Sequence, residues 1–213
     1  EEPVYFIRKY CKIVNVDKGL IAFDLWPFQE NMVNTFENNR YTICKLLRQC
    51  GKTTTVCGYL LHKLIFNENY QIAILANKDM QAREILSRIK LMFEHLPSWL
   101  QQGVKRWNEG DIELENGSKA LASATGGSAV RGKTFSLLYL DEFAFVPNNI
   151  QESFFASVYP TITSGTTTKV IITSTPNGMN LFYKLWTDSE NGKNKYVRCS
   201  VNWRDVPGRD EQF

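Results

Sequence analysis

Two short groups of residues could do chemistry together. The first is Gly51-Lys52-Thr53, which follows the apolar run "RYTICKLL" (40–47) and opens a predicted helix of about 14 residues. A helix N-terminus turns free N–H groups and the positive end of its dipole toward an anion. Gly51 lets the backbone approach closely, Lys52 reaches the β and γ phosphates of a nucleotide, and Thr53 supplies a hydroxyl to Mg2+. The usual pattern, G-x-x-x-x-G-K-[ST], places its first glycine at position 46, where this sequence has Leu46. That change removes a flexible hinge and no ligand, so positions 46 to 50 must curl by another turn. Gly-Lys-Thr is a common tripeptide, and its meaning comes from the strand before it, the helix after it and the acids downstream.

Those acids are Asp141-Glu142, which end the apolar run "SLLYLDEFAF". An isolated Asp-Glu pair at a strand end is ordinary. Beside a phosphate loop it divides labour: Asp141 binds Mg2+, often through water, and Glu142 orients or deprotonates the attacking water. Phosphoryl transfer needs positioning and charge neutralisation more than covalent chemistry, and a second acid suits hydrolysis. Arg48, inside the loop, is placed to steady the γ-phosphate, or is a surface arginine. Arg131 lies on the loop "GGSAVRGKTFS" and could enter a neighbouring subunit's site, a contribution of ~10³ to 10⁵ in rate; otherwise it meets DNA or solvent. Thr173-Ser174-Thr175, in "VIITSTPNG", would sense the γ-phosphate and pass its loss to "MNLFYKLW", or reflect only strand propensity before a turn.

The elements around these residues follow from periodicity. Residues 10–23 read as a hairpin turning at Asp17-Lys18-Gly19. A helix starts at Pro27 with Phe28, Met32, Val33 and Phe36 on one face. "QIAILA" (71–76), 135–146, 168–176 and 194–203 read as buried strands, 79–97 as an amphipathic helix, and 111–123 as a hairpin turning at Asn116-Gly117. Helices fill 149–158 and 179–188. Apolar strands alternating with helices predict an α/β fold, a mainly parallel sheet with helices on both faces.

The chain has 213 residues, room for one good-sized domain. No stretch approaches the ~18 to 20 apolar residues of a membrane span. Its net charge of +3 is nearly balanced, so any DNA contact is expected to be local. Five scattered cysteines without a C-x-x-C pair, and two histidines, suit a reducing cytosol and give no zinc signature. Both ends read as internal to a longer chain.

Taken in order, "RQCGKT", "LLYLDEFAF" and "IITSTPNGMNLFYKLW" resemble the ATPase domain of the large terminase subunit of tailed bacteriophages, most of all the T4-like ones, along nearly the whole chain. Members of that family often have a non-glycine at the first loop position and an arginine within the loop. The resemblance implies a P-loop NTPase of the ASCE type that uses ATP and Mg2+ to drive double-stranded DNA into a procapsid. It implies a homo-oligomeric ring working with the portal protein and the small terminase subunit in the host cytoplasm, with no membrane. It implies nucleotide binding by Gln29, Arg48, Gln49, Cys50, Gly51, Lys52, Thr53 and Thr54, and metal binding by Thr53 and Asp141. Glu142, Arg48 and Arg131 would be the catalytic groups, and Thr173, Ser174 and Thr175 the coupling motif. Gln29 matches the adenine-contacting glutamine; from the residues alone it is a polar position on an amphipathic helix. Leu47 is bulkier than the small residue of some relatives.

The division expected is residues 1–39 as an N-terminal part of the ATPase domain, 40–203 as the core, and 204–213 as the start of a linker to a nuclease domain. No spaced acidic cluster is left over for two-metal cleavage, so no nuclease activity is expected of this chain. Two other readings use the same residues. One is a superfamily 2-like translocase or helicase lobe, which needs a second lobe; the other is a nucleotide-binding assembly module without turnover.

Overall fold

The computed structural model of the chain describes residues 2–126, 130 and 132–208. Helix α1 (Pro3–Tyr10) precedes the hairpin β1 (Lys12–Asn15) and β2 (Gly19–Ala22), then α2 (Pro27–Asn38) and β3 (Tyr41–Lys45). Next come α3 (Lys52–Phe66), β4 (Gln71–Ala76), α4 (Asp79–Glu94), β5 (Val104–Trp107), β6 (Asp111–Leu114) and β7 (Lys119–Ala124). The chain continues through β8 (Leu137–Asp141), α5 (Asn148–Ser164), β9 (Lys169–Ser174), α6 (Leu181–Glu190) and β10 (Val197–Ser200).

Eight of the described strands form one sheet in the order β10-β3-β9-β8-β4-β7-β6-β5. From β10 to β7 every neighbouring pair is parallel, and β5, β6 and β7 are antiparallel. Parallel strands are buried on both faces, which is why β3, β4, β8 and β9 read as continuous apolar runs rather than alternating ones. One face packs Phe6, Met32, Leu60 and Leu86 from α1 to α4. The other packs Phe154, Phe182 and Trp186 from α5 and α6. The α/β architecture with helices on both faces is the one the sequence predicts. No helix among the described residues is long and apolar enough to cross a membrane.

The differences have local causes. Helix α1 has eight residues, too few for periodicity to announce, and it is held by packing on α3: a Cβ added at Gly58 would lie 3.0 Å from the Ile7 side chain. β5 carries mostly exposed side chains at the sheet edge and has no alternation to read. β7 pairs with β6 as expected of the Asn116-Gly117 hairpin, and it is also a parallel neighbour of β4. The run expected as strand to residue 146 leaves the sheet at Asp141, because Phe143 and Ala144 are buried in a single 3-10 turn, Phe143–Phe145. Helix α5 runs past its expected end, through Pro160. Val206 is seated in the core.

A lysine ties the central strand to α2. Lys169 Nζ donates to the carbonyls of Phe36, Glu37 and Asn39 at 3.0, 2.8 and 2.9 Å. These are the unsatisfied carbonyls of a helix end, where a cation is also favoured by the dipole. Burial lowers the Lys169 ammonium from its ordinary value, with Glu37 opposing the shift and Lys63 adding to it. Replacement of Lys169 by methionine keeps the stem and removes the donors. Its expected cost is about 1.5–3 kcal/mol, or a Tm lower by about 3–12 °C in a domain of this size, read by thermal unfolding of the two proteins side by side.

Candidate active site

The loop at 46–51 is shaped by the strand that precedes it. Leu46 N–H donates to the Ser174 carbonyl at 3.0 Å, so the chain is still in the β3–β9 ladder at the position where the usual pattern has glycine. The turn comes later, through left-handed residues at Gln49 (φ 55°) and Gly51 (φ 72°). Gly51 is needed twice over: for that φ, and because a Cβ there would stand 2.7 Å from Gln29 Nε2. Cys50 is buried, and its Sγ donates to the Leu47 carbonyl at 3.1 Å. Gln29 is buried beneath the loop. Its Oε1 accepts from Trp26 N–H at 2.9 Å and its Nε2 donates to the Cys50 carbonyl at 3.4 Å.

Lys52, the first residue of α3, points its ammonium at the acid pair. It forms a salt bridge with Glu142 Oε1 and lies 3.5 Å from Thr175 Oγ1. The other oxygen of Glu142 accepts from Thr175 N–H at 3.1 Å and from Ser174 Oγ at 3.4 Å. Glu142 itself is left-handed (φ 47°, ψ 43°), a conformation costing a non-glycine residue about 1–3 kcal/mol, which these partners must outweigh.

Asp141 is buried at the end of β8, opposite Thr173 in the β8–β9 register. Its Oδ1 accepts from Tyr139 Oη at 2.6 Å and from Thr173 Oγ1 at 3.1 Å. Burial raises the Asp141 carboxyl above its ordinary value. The Tyr139 bond opposes that shift, the Glu142 charge adds to it, and Lys52 and Thr173 oppose it. Burial likewise keeps the Tyr139 phenol protonated far above its usual range, so it remains a donor.

The structure therefore joins Lys52, Asp141, Glu142, Thr173, Ser174 and Thr175 in one connected site. Gln49 and Arg48 border it, in a cleft of about 410 Å³ that also takes in Asn77, Lys78 and Gln81 from the junction of β4 and α4. The Arg48 guanidinium sits 5.9 Å from the centre of the Phe145 ring on the cleft wall. Thr53 is half-buried in the first turn of α3. Thr54, next to it, lines a different cavity with Lys12, Arg88 and Met92. Arg131 lies outside the described residues. Sequence reasoning missed Tyr139, Asn77, Lys78 and Gln81. Tyr139 was findable, since residues two apart on a strand share a face and it precedes Asp141 by two.

Residues 45–213 match the family described as terminase large subunit, T4likevirus-type, N-terminal. The chain belongs to this family. It is similar to the crystal structure of the bacteriophage HK97 large terminase, with a TM-score of 0.82 and 22% identity over 99% of this chain and 49% of that one. It also resembles a mutant of the large terminase ATPase domain of a Thermus phage (TM-score 0.71, 18% identity, 86% of this chain and 84% of that one). A third similar structure is the large terminase of a thermophilic bacteriophage in complex with ATP-γ-S (TM-score 0.68, 15% identity, 89% and 47%). The chain thus spans about half the length of the HK97 terminase. The fold shared is the P-loop ATPase fold of the terminases, as the motif set implied.

The buried Asp141 makes a prediction with a definite sign. Its folded-state value lies above the ordinary 3.8, so the folded chain holds this proton longer than the unfolded one. Stability from this group therefore falls as pH rises through that window and stays lower above it. Asp141→Asn keeps an oxygen for Tyr139 and Thr173 but carries no charge. At pH 7, without nucleotide and with a chelator, the variant is expected to melt above the parent, the gap narrowing as pH is lowered toward the ordinary carboxylate range. Melting curves across pH measure this, and a variant less stable than its parent at pH 7 would count against a buried charge.

Proposed function

We propose that this chain is the ATP-hydrolysing motor domain of a viral terminase, driving double-stranded DNA into a procapsid. The observation that carries the reading is the meeting of Lys52, Glu142 and Thr175, from three separate elements, at the N-terminus of α3. Membership of the large terminase family supports it.

ATP binds with its phosphates against the loop residues 48–54. Lys52 leaves Glu142 for the β and γ phosphates, and the carboxylate it releases is then free to accept a proton from the attacking water. The site is also suited to Mg2+: a hydroxyl at Thr53 and a buried carboxylate whose hydrogen bonds from Tyr139 and Thr173 both fall on Oδ1 are hard oxygen donors, and the burial of Asp141 asks for a cation. When bound, the ion neutralises triphosphate charge. Gln29 braces the loop from beneath, on the side where the family places the base, and Arg48, in the cleft, or Arg131, from a neighbouring subunit, is the cation for the transition state. Thr173, Ser174 and Thr175 report the phosphate's departure. The ring on the procapsid, the portal protein, the small subunit and the host cytoplasm are the setting that the family implies. Residues 1–39 belong to the ATPase domain, since α1 and α2 share the core of α3.

Lys52→Ala and Glu142→Gln are each expected to lower ATP turnover by at least about 10²-fold. Glu142→Gln should still bind ATP-γ-S, because only the proton acceptor is lost. Steady-state phosphate release and nucleotide titration separate these effects; wild-type turnover by Glu142→Gln would remove Glu142 from the mechanism.

A further inference from the structure

The turn that carries Glu142 is pinned at Ala144, on one side by the coupling triplet and on the other by residues outside it. Ala144, two residues past Glu142, has its N–H donating to Ser174 Oγ at 3.0 Å. Its carbonyl accepts from Asn180 Nδ2 at 2.7 Å and from Asn177 Nδ2 at 3.3 Å. The same Asn180 is the N-cap of α6: its Oδ1 accepts from Tyr183 N–H at 3.1 Å. Its Nδ2 also donates to the Asn177 carbonyl at 2.9 Å. One planar amide thus holds the acid turn with its nitrogen and the first turn of α6 with its oxygen. The two functions use different atoms, so they can be separated by substitution.

This arrangement matters because Glu142 occupies an unfavourable backbone conformation, and its carboxylate position depends on what fixes the residues after it. Phe145 N–H closes the turn onto the Glu142 carbonyl at 2.9 Å, so a displacement of Ala144 is passed directly to Glu142. Helix α6 follows the exposed segment Pro176–Met179 and packs on the core through Phe182 and Trp186. Its first turn, directly after that segment, meets the acid turn through the bond from Asn180 to Ala144.

We propose that Asn180 is a positioning residue, which sets the place of Glu142 through Ala144 and carries a change at Glu142 on nucleotide binding to the start of α6. The proposal rests on the ATPase reading above and adds a residue to it. When a triphosphate draws Lys52 away, the Glu142 turn loses one of its holds, and the Ala144–Asn180 bond moves with it. Amides in the first turn of α6 then sense the occupancy of a site they do not touch.

The test uses Asn180→Ser and Asn180→Asp. Both keep an oxygen to cap α6, and neither has an N–H for the Ala144 carbonyl. Both variants are expected to lower kcat for ATP about 10- to 100-fold, as a misplaced reacting group does, with KM for ATP within about twofold of the parent, because uniform binding is intact. Their Tm should fall by roughly 2–12 °C, since an oxygen cap remains and the loss is that of the two hydrogen bonds made by Nδ2, to the Ala144 and Asn177 carbonyls, while Asn180→Ala, which loses the cap as well, should melt lower still. Hydrogen exchange at Tyr183 and Lys184 gives the second readout. In the parent it should change on adding ATP-γ-S, and in Asn180→Ser that change should vanish. Parental kcat in both variants, or an exchange response to ATP-γ-S unaltered by Asn180→Ser, would overturn the role of Asn180. Absence of ATP hydrolysis by the parent itself would overturn the ATPase reading along with it.

Discussion

Three parallel strands that end at the same level are the constraint on which this molecule's chemistry depends. β3, β9 and β8 are hydrogen-bonded neighbours, with Lys45 opposite Ser174 and Thr173 opposite Asp141. Neighbouring strands lie about 4.8 Å apart, so the segments leaving their ends begin within reach of one another. The phosphate loop leaves β3, the acids leave β8 and the hydroxyls leave β9. A shift of one residue in the β8–β9 pairing would send Thr173 to the opposite face and leave Asp141 with only Tyr139, its neighbour on the same strand. The apolar burial of the strands on both sides holds that register, so the core and the site are one construction.

At those strand ends the backbone departs from what its residues prefer. Gln49 and Glu142 are left-handed without being glycine, and Gly51 is left-handed beside them. Such strain persists only where surroundings over-determine it. At Glu142 the surroundings are Lys52, the Thr175 N–H, the Ser174 hydroxyl and the bonds to Ala144. Lys52 and Glu142 neutralise one another in a partly buried position, where removing either partner leaves an uncompensated charge. A triphosphate gives the lysine a second anion, and the carboxylate it leaves keeps the Thr175 N–H and the Ser174 hydroxyl. Asp141 is a different case: a buried carboxylate whose hydrogen bonds from Tyr139 and Thr173 only partly offset its desolvation.

The leucine at the head of the phosphate loop fits the same frame. Leu46 is buried and still bonded to the neighbouring strand, so a flexible residue there would weaken the ladder. The bend moves three residues on, to Gln49. The loop keeps its shape by relocating its left-handed turn, and Gly51 remains because Gln29 occupies the space where a side chain would go.

The sequence by itself determined the class of fold, the phosphate loop, the acid pair and the hydroxyl run. Each is a local pattern: a continuous apolar strand, a helix opened by Gly-Lys-Thr, two acids where the apolar run meets solvent. It also carried the family, through the order of those patterns. What only tertiary structure decided is which atoms of these patterns meet. Nothing local tells that Thr173 lies opposite Asp141, since that is a register between strands far apart in the chain. Nor does it tell that the strand stops at Asp141 although apolar residues continue. Phe143 and Ala144 read as strand because burial gives strand and turn the same composition. The link from Asn180 to Ala144 was likewise hidden, because a helix cap is legible in sequence but the second use of its side chain exists only where another element comes to rest beside it.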